Sequence, residues 1–249
     1  MIPFFRKIRK KMADDNRPLK YMRYAIGEII LVVIGILIAL QINTWNQINK
    51  NKTEESKLLQ SFYGEFSRNK ENIQTIQRQY TEITNSNKKL MDLIGESSSQ
   101  INTSNTDSLL AVAINITNFL PHNYVLDDMV STGKLELISS AKLKELLYKW
   151  KQELGQNENH YQMLYKYFME ELIPYLSRNA SVKNIDFYTE DGIITEPSNL
   201  NHNSLYIFQD IVFENHLDNY SYTVDSFEKS LDKLKDISDK ILIETKNNK

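Results

Sequence analysis

Apolar residues fall into two unlike patterns along this chain. Residues 29–40 form one unbroken apolar block inside "YAIGEIILVVIGILIALQINTW" at positions 24–45. After it, apolar positions recur every three or four residues: Leu59, Phe62, Phe66, Ile73, Ile76, Tyr80, Ile83, Leu90 and Ile94. That spacing draws a stripe down one side of a helix and predicts helix to about Gly95. Asn69 and Asn87 fill two skipped positions of the stripe, where a polar group costs stability but fixes register. The stripe fits either an intramolecular core or a homo-oligomeric coiled coil.

Farther on, "GESSSQINTSNTDS" breaks the rhythm as a polar loop, and Asp107 is placed to cap a short helix through Phe119, stopped by Pro121. A second short helix should end at Gly133 as a left-handed C-cap. Leu135, Leu137 and Ile138 would then plug into the core, and Ser139 would cap the next helix. Leu143, Leu147, Trp150, Leu154, Tyr161, Leu164 and Phe168 carry that helix to near Leu176, with Asn157 as a polar intruder. Residues 177–204 are rich in turn formers and predict an irregular connection with a small hairpin. A final helix over 205–245 carries Phe208, Ile211, Val212, Val224, Phe227, Leu231, Leu234 and Ile241. Three long helices and two short ones, with only seven Gly and five Pro in 249 residues, predict an all-α fold. Its form is an N-terminal transmembrane helix followed by an elongated antiparallel helical bundle. The domain reading is a basic amphipathic segment at 1–22, a membrane helix at 23–46 and a bundle at 47–246.

The apolar block suits a bilayer. Twenty-two helical residues span about 33 Å, close to one hydrocarbon core. Eleven Leu, Ile or Val side chains lie between Ile29 and Ile42. On an insertion scale they contribute about -3 to -7 kcal/mol together. Charge sets the direction. The net charge of -2 divides into +6 over residues 1–23 and -8 over the rest. Eight Lys or Arg precede the block, whereas Lys50, Lys52 and Lys57 follow it closely, so the N-terminus is expected in the cytoplasm and the bundle in the periplasm. "IALQINTW" lacks a small-x-small cleavage site, which favours an uncleaved signal anchor. Arg6, Lys7, Arg9, Lys10 and Lys11, with Phe5, Ile8 and Met12 at helical spacing, form either an amphipathic helix on anionic lipid or a solvated tail that sets topology. Glu28 stands about one turn from Tyr24, where it can snorkel or pair with Arg23; it also shares a helix face with Gly35 and Ala39, a small-xxx-small pair that would support self-association.

Two stretches carry a resemblance. "FFRKIRKKM" followed by "NRPLKYMRYAIGEIILVVIGILIALQINTWN" resembles the opening of an uncharacterised Bacteroidota family, domain of unknown function 6090. "STGKLELISSAKLKELLYKW" is similar to that family's Ser-Gly-Lys-Leu segment and the helix after it. The resemblance implies a single-span protein with an extracytoplasmic helical domain, and no activity.

Candidate chemistry is sparse. The chain has no cysteine, which removes disulfides, thiolate catalysis and Cys-ligated zinc. His122, His160, His202 and His216 are never spaced to place two imidazoles on one helix face, and each reads as a surface or capping residue. Asp127 with Asp128, and Glu170 with Glu171, are adjacent and point apart on a helix. No nucleophile elbow, phosphate loop or dinucleotide fingerprint occurs. Trp150, Tyr161, Tyr165, Tyr167 and Phe168 read as core before they read as a ligand pocket. The expectation is therefore a non-enzymatic protein with no cofactor and no nucleic-acid partner. It would meet the lipid bilayer, an envelope protein and, through the membrane helix, a second copy. The alternative is an extracytoplasmic ligand sensor working through a separate signalling partner.

Overall fold

The computed structural model describes residues 18–97, 101, 103–189, 193–200 and 204–247. Every regular element among them is helical: α1 (Pro18–Asp92), α2 (Thr103–Ala113), α3 (Tyr124–Ser131), α4 (Ala141–Tyr167), α5 (Ile173–Asn179), α6 (Val182–Asp186) and α7 (Ile211–Asn247). Short 3-10 turns cover Lys134–Leu137 and Ser204–Gln209, and a π-helical turn, Phe168–Leu172, joins α4 to α5. The all-α expectation holds. The chain forms two compact units, Met1–Glu55 and Ser56–Lys249.

The second unit is built on the stripe of α1. Leu59, Phe62, Phe66, Ile73, Ile76, Tyr80, Ile83 and Leu90 are all buried against α4 and α7 of the same chain, so this seam is intramolecular core. Hydrogen bonds Gln77 to Asp232, Thr84 to Glu228 and Ser238 to the Phe66 carbonyl set α7 antiparallel to α1. Lys142 with Glu244, Asn157 with Ser230 and Tyr167 with His216 set it antiparallel to α4 as well. Phe227 is the hub, its ring 4.8 Å from that of Tyr80 and 5.5 Å from that of Tyr161. Because Phe66 meets Trp150 and Tyr80 lies near Tyr161, α1 and α4 run parallel. Two parallel helices need a return path between them, and residues 113–126 provide it.

That return path corrects the sequence reading. Asp107 lies inside α2 rather than capping it, and α2 ends at Ala113, well short of Phe119 and Pro121. Residues 115–123 have no regular secondary structure, and Asn123, with φ -124° and ψ 14°, lies outside the extended region. Gly133 has the left-handed φ of 69° expected of a residue closing α3, Leu135 and Ile138 are buried behind it, and Leu137 is half-buried. Ser140, one residue beyond the expected Ser139, is the N-cap of α4, its Oγ accepting from Leu143 N–H at 3.2 Å. Two adjacent serines offer the same cap chemistry, and Ser140, whose backbone is extended, is the one whose side chain reaches the helix. Helical structure continues past Leu176 to Asn179 through the π turn. Pro174 has no N–H for the Glu170 carbonyl, and its ring would meet that carbonyl in a regular helix; the widened turn before it relieves the conflict.

No hairpin forms among the described residues of the 177–204 connection; α6 stands there instead. The last α-helix starts at Ile211 after the N-cap Asp210, whose Oδ1 accepts from Val212 N–H at 2.9 Å. The stripe therefore runs Phe213, Leu217, Tyr220, Val224, Phe227, Leu231, Leu234 and Ile241, all buried, while Ile211 and Val212 are exposed.

Candidate functional site

In the first unit the apolar block is a bare helix. The large side chains of residues 29–40 are 47–71% exposed, and consecutive exposure on a helix means exposure on every side. This is the one stretch among the described residues long and apolar enough to cross a membrane. Gly35 and Ala39 are exposed there, nothing lies within 4 Å of where a Cβ on Gly35 would stand, and Glu28 is half-buried and engaged in an interaction. Arg6, Lys7, Arg9, Lys10 and Lys11 fall outside the described residues.

In the second unit polar side chains of α1, buried or half-buried, serve the irregular return segment. Gln79 Nε2 donates to the Asn115 carbonyl at 2.7 Å, Tyr80 OH to the Thr117 carbonyl at 2.9 Å and Asn72 Nδ2 to the Leu120 carbonyl at 3.2 Å. Asn69 donates to the His122 carbonyl at 2.8 Å and accepts from its N–H at 2.7 Å. Glu65 accepts from Val125 N–H at 2.7 Å and Leu126 N–H at 3.3 Å, both in the first turn of α3. An irregular segment packed inside a helical protein has no helical or ladder partner for its backbone, which must therefore find side chains. Burial pushes the Glu65 carboxyl above the ordinary range, against the two N–H bonds and the Arg68 charge that favour its ionised form. Asn123, which should cap α3, instead accepts from Trp150 Nε1 at 3.0 Å, and Glu65 fills the vacated role from another helix.

Where the π turn faces the start of α7, a second polar group forms. Tyr167 OH lies 2.9 Å from His216 Nδ1, and the His216 ring is 5.0 Å from that of Tyr175. Tyr175 donates to Asp210 Oδ2 at 2.6 Å and stacks on Phe213. Burial, followed by that bond, holds the Tyr175 phenol protonated, and the same bond draws Asp210 below the usual carboxylate range. Burial lowers His216, opposed by Glu171 and Asp210. Expected from the sequence to be a capping or surface residue, His216 is half-buried, and Asp210 is the cap.

Two grooves open on this unit. One, of about 630 Å³, runs between α1 and α7 over Tyr63, Lys70, Asp239, Leu242 and Lys246. The other, of about 490 Å³, lies between α1, the end of α2 and the turn after α6, lined by Arg78, Glu82, Ile83, Ala111, Asn115 and Tyr188 among others. The aromatic group around Trp150 lines neither; Trp150 is wholly buried, in edge contact with Phe66 and Phe119. No group of three metal-ligating side chains occurs among the described residues. Sequence reasoning missed Glu65 and the α2 groove. The available signal was the polar line Glu65, Asn69, Asn72 and Gln79, which follows helical spacing beside the apolar stripe.

No curated protein and no solved structure matches the chain. A protein-family model described as a family of unknown function, DUF6090, matches residues 28–166, taking in the apolar block, the polar line of α1, the return segment it binds and most of α4. The match spans more than half of the 249 residues, and the chain belongs to this family.

Proposed function

We propose that the protein is a single-pass anchor in the bacterial cytoplasmic membrane that holds its helical bundle in the periplasm as a non-catalytic interaction or scaffold module for another envelope protein. The observation that carries this reading is the helix over residues 29–40, whose apolar side chains lie bare all round. Apolar surface left in water costs about 25 cal/mol per Å², a penalty that lipid removes. The excess of basic residues before the block supports a cytoplasmic N-terminus, and the missing cleavage site supports retention of the anchor. An interaction role is supported by how the buried polar groups are used: Glu65, Asn69, Tyr80 and Asn157 bind backbone or a neighbouring helix and are not gathered around a cleft. Leu120, Tyr124, Tyr148 and Tyr222 offer exposed apolar contact points to a partner. Self-association through Glu28, Gly35 and Ala39 belongs to the same reading, and Gly35→Leu should then weaken crosslinked oligomers.

The test is topology followed by neighbours. Reporters active only in the cytoplasm or only in the periplasm, fused at either end, should light up oppositely, and the full chain should stay in the membrane pellet after alkaline carbonate washing. Proximity labelling from a C-terminal tag should then enrich particular envelope proteins over an inert anchored control. Recovery of the uncleaved chain in the soluble fraction, or a labelling profile equal to the control's, would refute the anchor or the interaction role respectively.

A further inference from the structure

We infer that the groove between α1, the end of α2 and the turn after α6 binds a small zwitterion, a free amino acid or a short peptide, with Arg78 on its carboxylate and Glu82 on its ammonium. Arg78 and Glu82 stand four residues apart on α1 and both line the groove. At that spacing their Cβ atoms lie about 5–6 Å apart. Yet they do not pair with each other or with any other charge among the described residues. Arg78 donates from Nε to the Gln74 carbonyl at 3.4 Å and from one terminal nitrogen to Thr75 Oγ1 at 3.2 Å, which leaves its other terminal nitrogen without a partner among the described residues. The Asn115 side-chain amide and the Tyr188 hydroxyl, both exposed on the groove wall, likewise have no hydrogen-bond partner among the described residues.

The surroundings separate this groove from ordinary solvated charge. Its floor is apolar, with Ile83 and Ala111 buried and Val112 half-buried, so a bound molecule would set its side chain on hydrocarbon and its charged ends at the rim. The volume of about 490 Å³ falls within the range of small-molecule sites, about 300–1,000 Å³. In the groove between α1 and α7, by contrast, Lys70 is paired with Asp239 at 2.6 Å and the Lys246 ammonium lies over the Tyr63 ring, 5.2 Å from its centroid. A carboxylate matches the planar fork of a guanidinium, and an ammonium matches a carboxylate acceptor. A ligand carrying both charges a few ångströms apart satisfies Arg78 and Glu82 together, whereas a plain anion leaves Glu82 as a repulsive neighbour. This inference is independent of the anchor and scaffold reading, and its failure would leave that reading intact.

The experiment uses the full chain in detergent micelles and calorimetric titration with L-alanine, L-alanyl-L-alanine, N-acetyl-L-alanyl-L-alanine and L-alanyl-L-alanine amide. Saturable binding is expected for alanine or the dipeptide, and which of the two binds tighter distinguishes amino acid from peptide. The acetylated and amidated forms should each bind at least tenfold more weakly than the dipeptide. Arg78→Gln and Glu82→Gln should each reduce affinity at least tenfold with an unchanged thermal melt, since both side chains are exposed. Absence of saturable binding by both zwitterions overturns the inference. So does equal binding of the acetylated form, or affinity unmoved by Glu82→Gln, either of which would make this a site for anions alone.

Discussion

Asn69 and His122 exchange two hydrogen bonds, side-chain amide to carbonyl at 2.8 Å and backbone N–H to side-chain oxygen at 2.7 Å. This is the exchange two strands make in an antiparallel ladder, with a side chain standing in for one of them. Asn69 is fully buried and His122 half-buried, so loss of the amide leaves both backbone groups of His122 unpaired at a partly sheltered site. Asn69→Leu, although it extends the apolar stripe, should destabilise the bundle by about 2–4 kcal/mol, because each buried group left unpaired costs about 1–3 kcal/mol. Urea unfolding of the full chain in micelles, followed by helical circular dichroism, measures it. A neutral or stabilising Leu would show that the return segment does not depend on this exchange.

Glu65 tests the same principle with a charge. Its carboxylate takes the Val125 and Leu126 N–H groups at the start of α3, where the local cap residue Asn123 is bound to Trp150. Glu65→Leu should cost about 2–4 kcal/mol through two unsatisfied N–H groups. Glu65→Gln keeps one acceptor and removes a buried charge, so its cost should be less than half that of Leu. Equal costs for the two variants in the same urea experiment would mean that packing volume, not hydrogen bonding, fixes this residue.

These two residues mark where the sequence was readable and where it was not. The apolar stripe of α1 was legible because helical burial repeats every three to four residues, and Asn69 and Asn87 stood out against it. Both prove to bond across the interface, Asn87 to the Leu217 carbonyl and to Ser221. The irregular segment at 115–123 was not legible, because its partners are side chains about 35 to 55 positions earlier rather than a neighbouring element with its own period. In α7 the signal was present and misplaced: Phe213, Leu217, Tyr220 and Val224 keep the rhythm that Ile211 and Val212 break. The apolar block was plain from composition alone. The grooves could not be read, since Arg78 and Asn115 become neighbours only when the chain returns along α1.

Asp107 gives a pH prediction. It is buried in α2, its Oδ1 has no hydrogen-bond partner among the described residues, and burial raises its carboxyl above the ordinary value of 3.8. The folded state therefore holds the proton to higher pH than the unfolded chain does, and stability from this group falls as pH rises from about 3.8 through the folded value, then levels. Asp107→Asn removes the ionisation. Its stability relative to wild type should be greater at pH 7 than near pH 3.5, read as the difference in urea midpoints between the two proteins. A difference that is flat with pH, or that runs the other way, would mean Asp107 is ionised in the fold without penalty.

His216 predicts the opposite slope. Burial lowers its imidazole below 6.5, and although the Glu171 and Asp210 charges oppose this, burial prevails. Tyr167 and Tyr175 occupy its other sides without adding charge. Below pH 6.5 the unfolded chain takes up a proton that the folded ring resists, so the stability this group contributes is whole at higher pH and is lost as pH falls from about 6.5 toward the folded value. His216→Gln retains a polar partner for Tyr167 and cannot titrate. The advantage of wild type over this variant should therefore be larger at pH 7.5 than at pH 5.5. Because Asp107, Glu65 and Glu228, all raised by burial, act in the other direction, only the difference between the two proteins isolates the histidine. An advantage that grows on acidification would instead mean that protonated His216 pairs with Glu171 or Asp210, and the pocket beside the π turn would then favour the imidazolium.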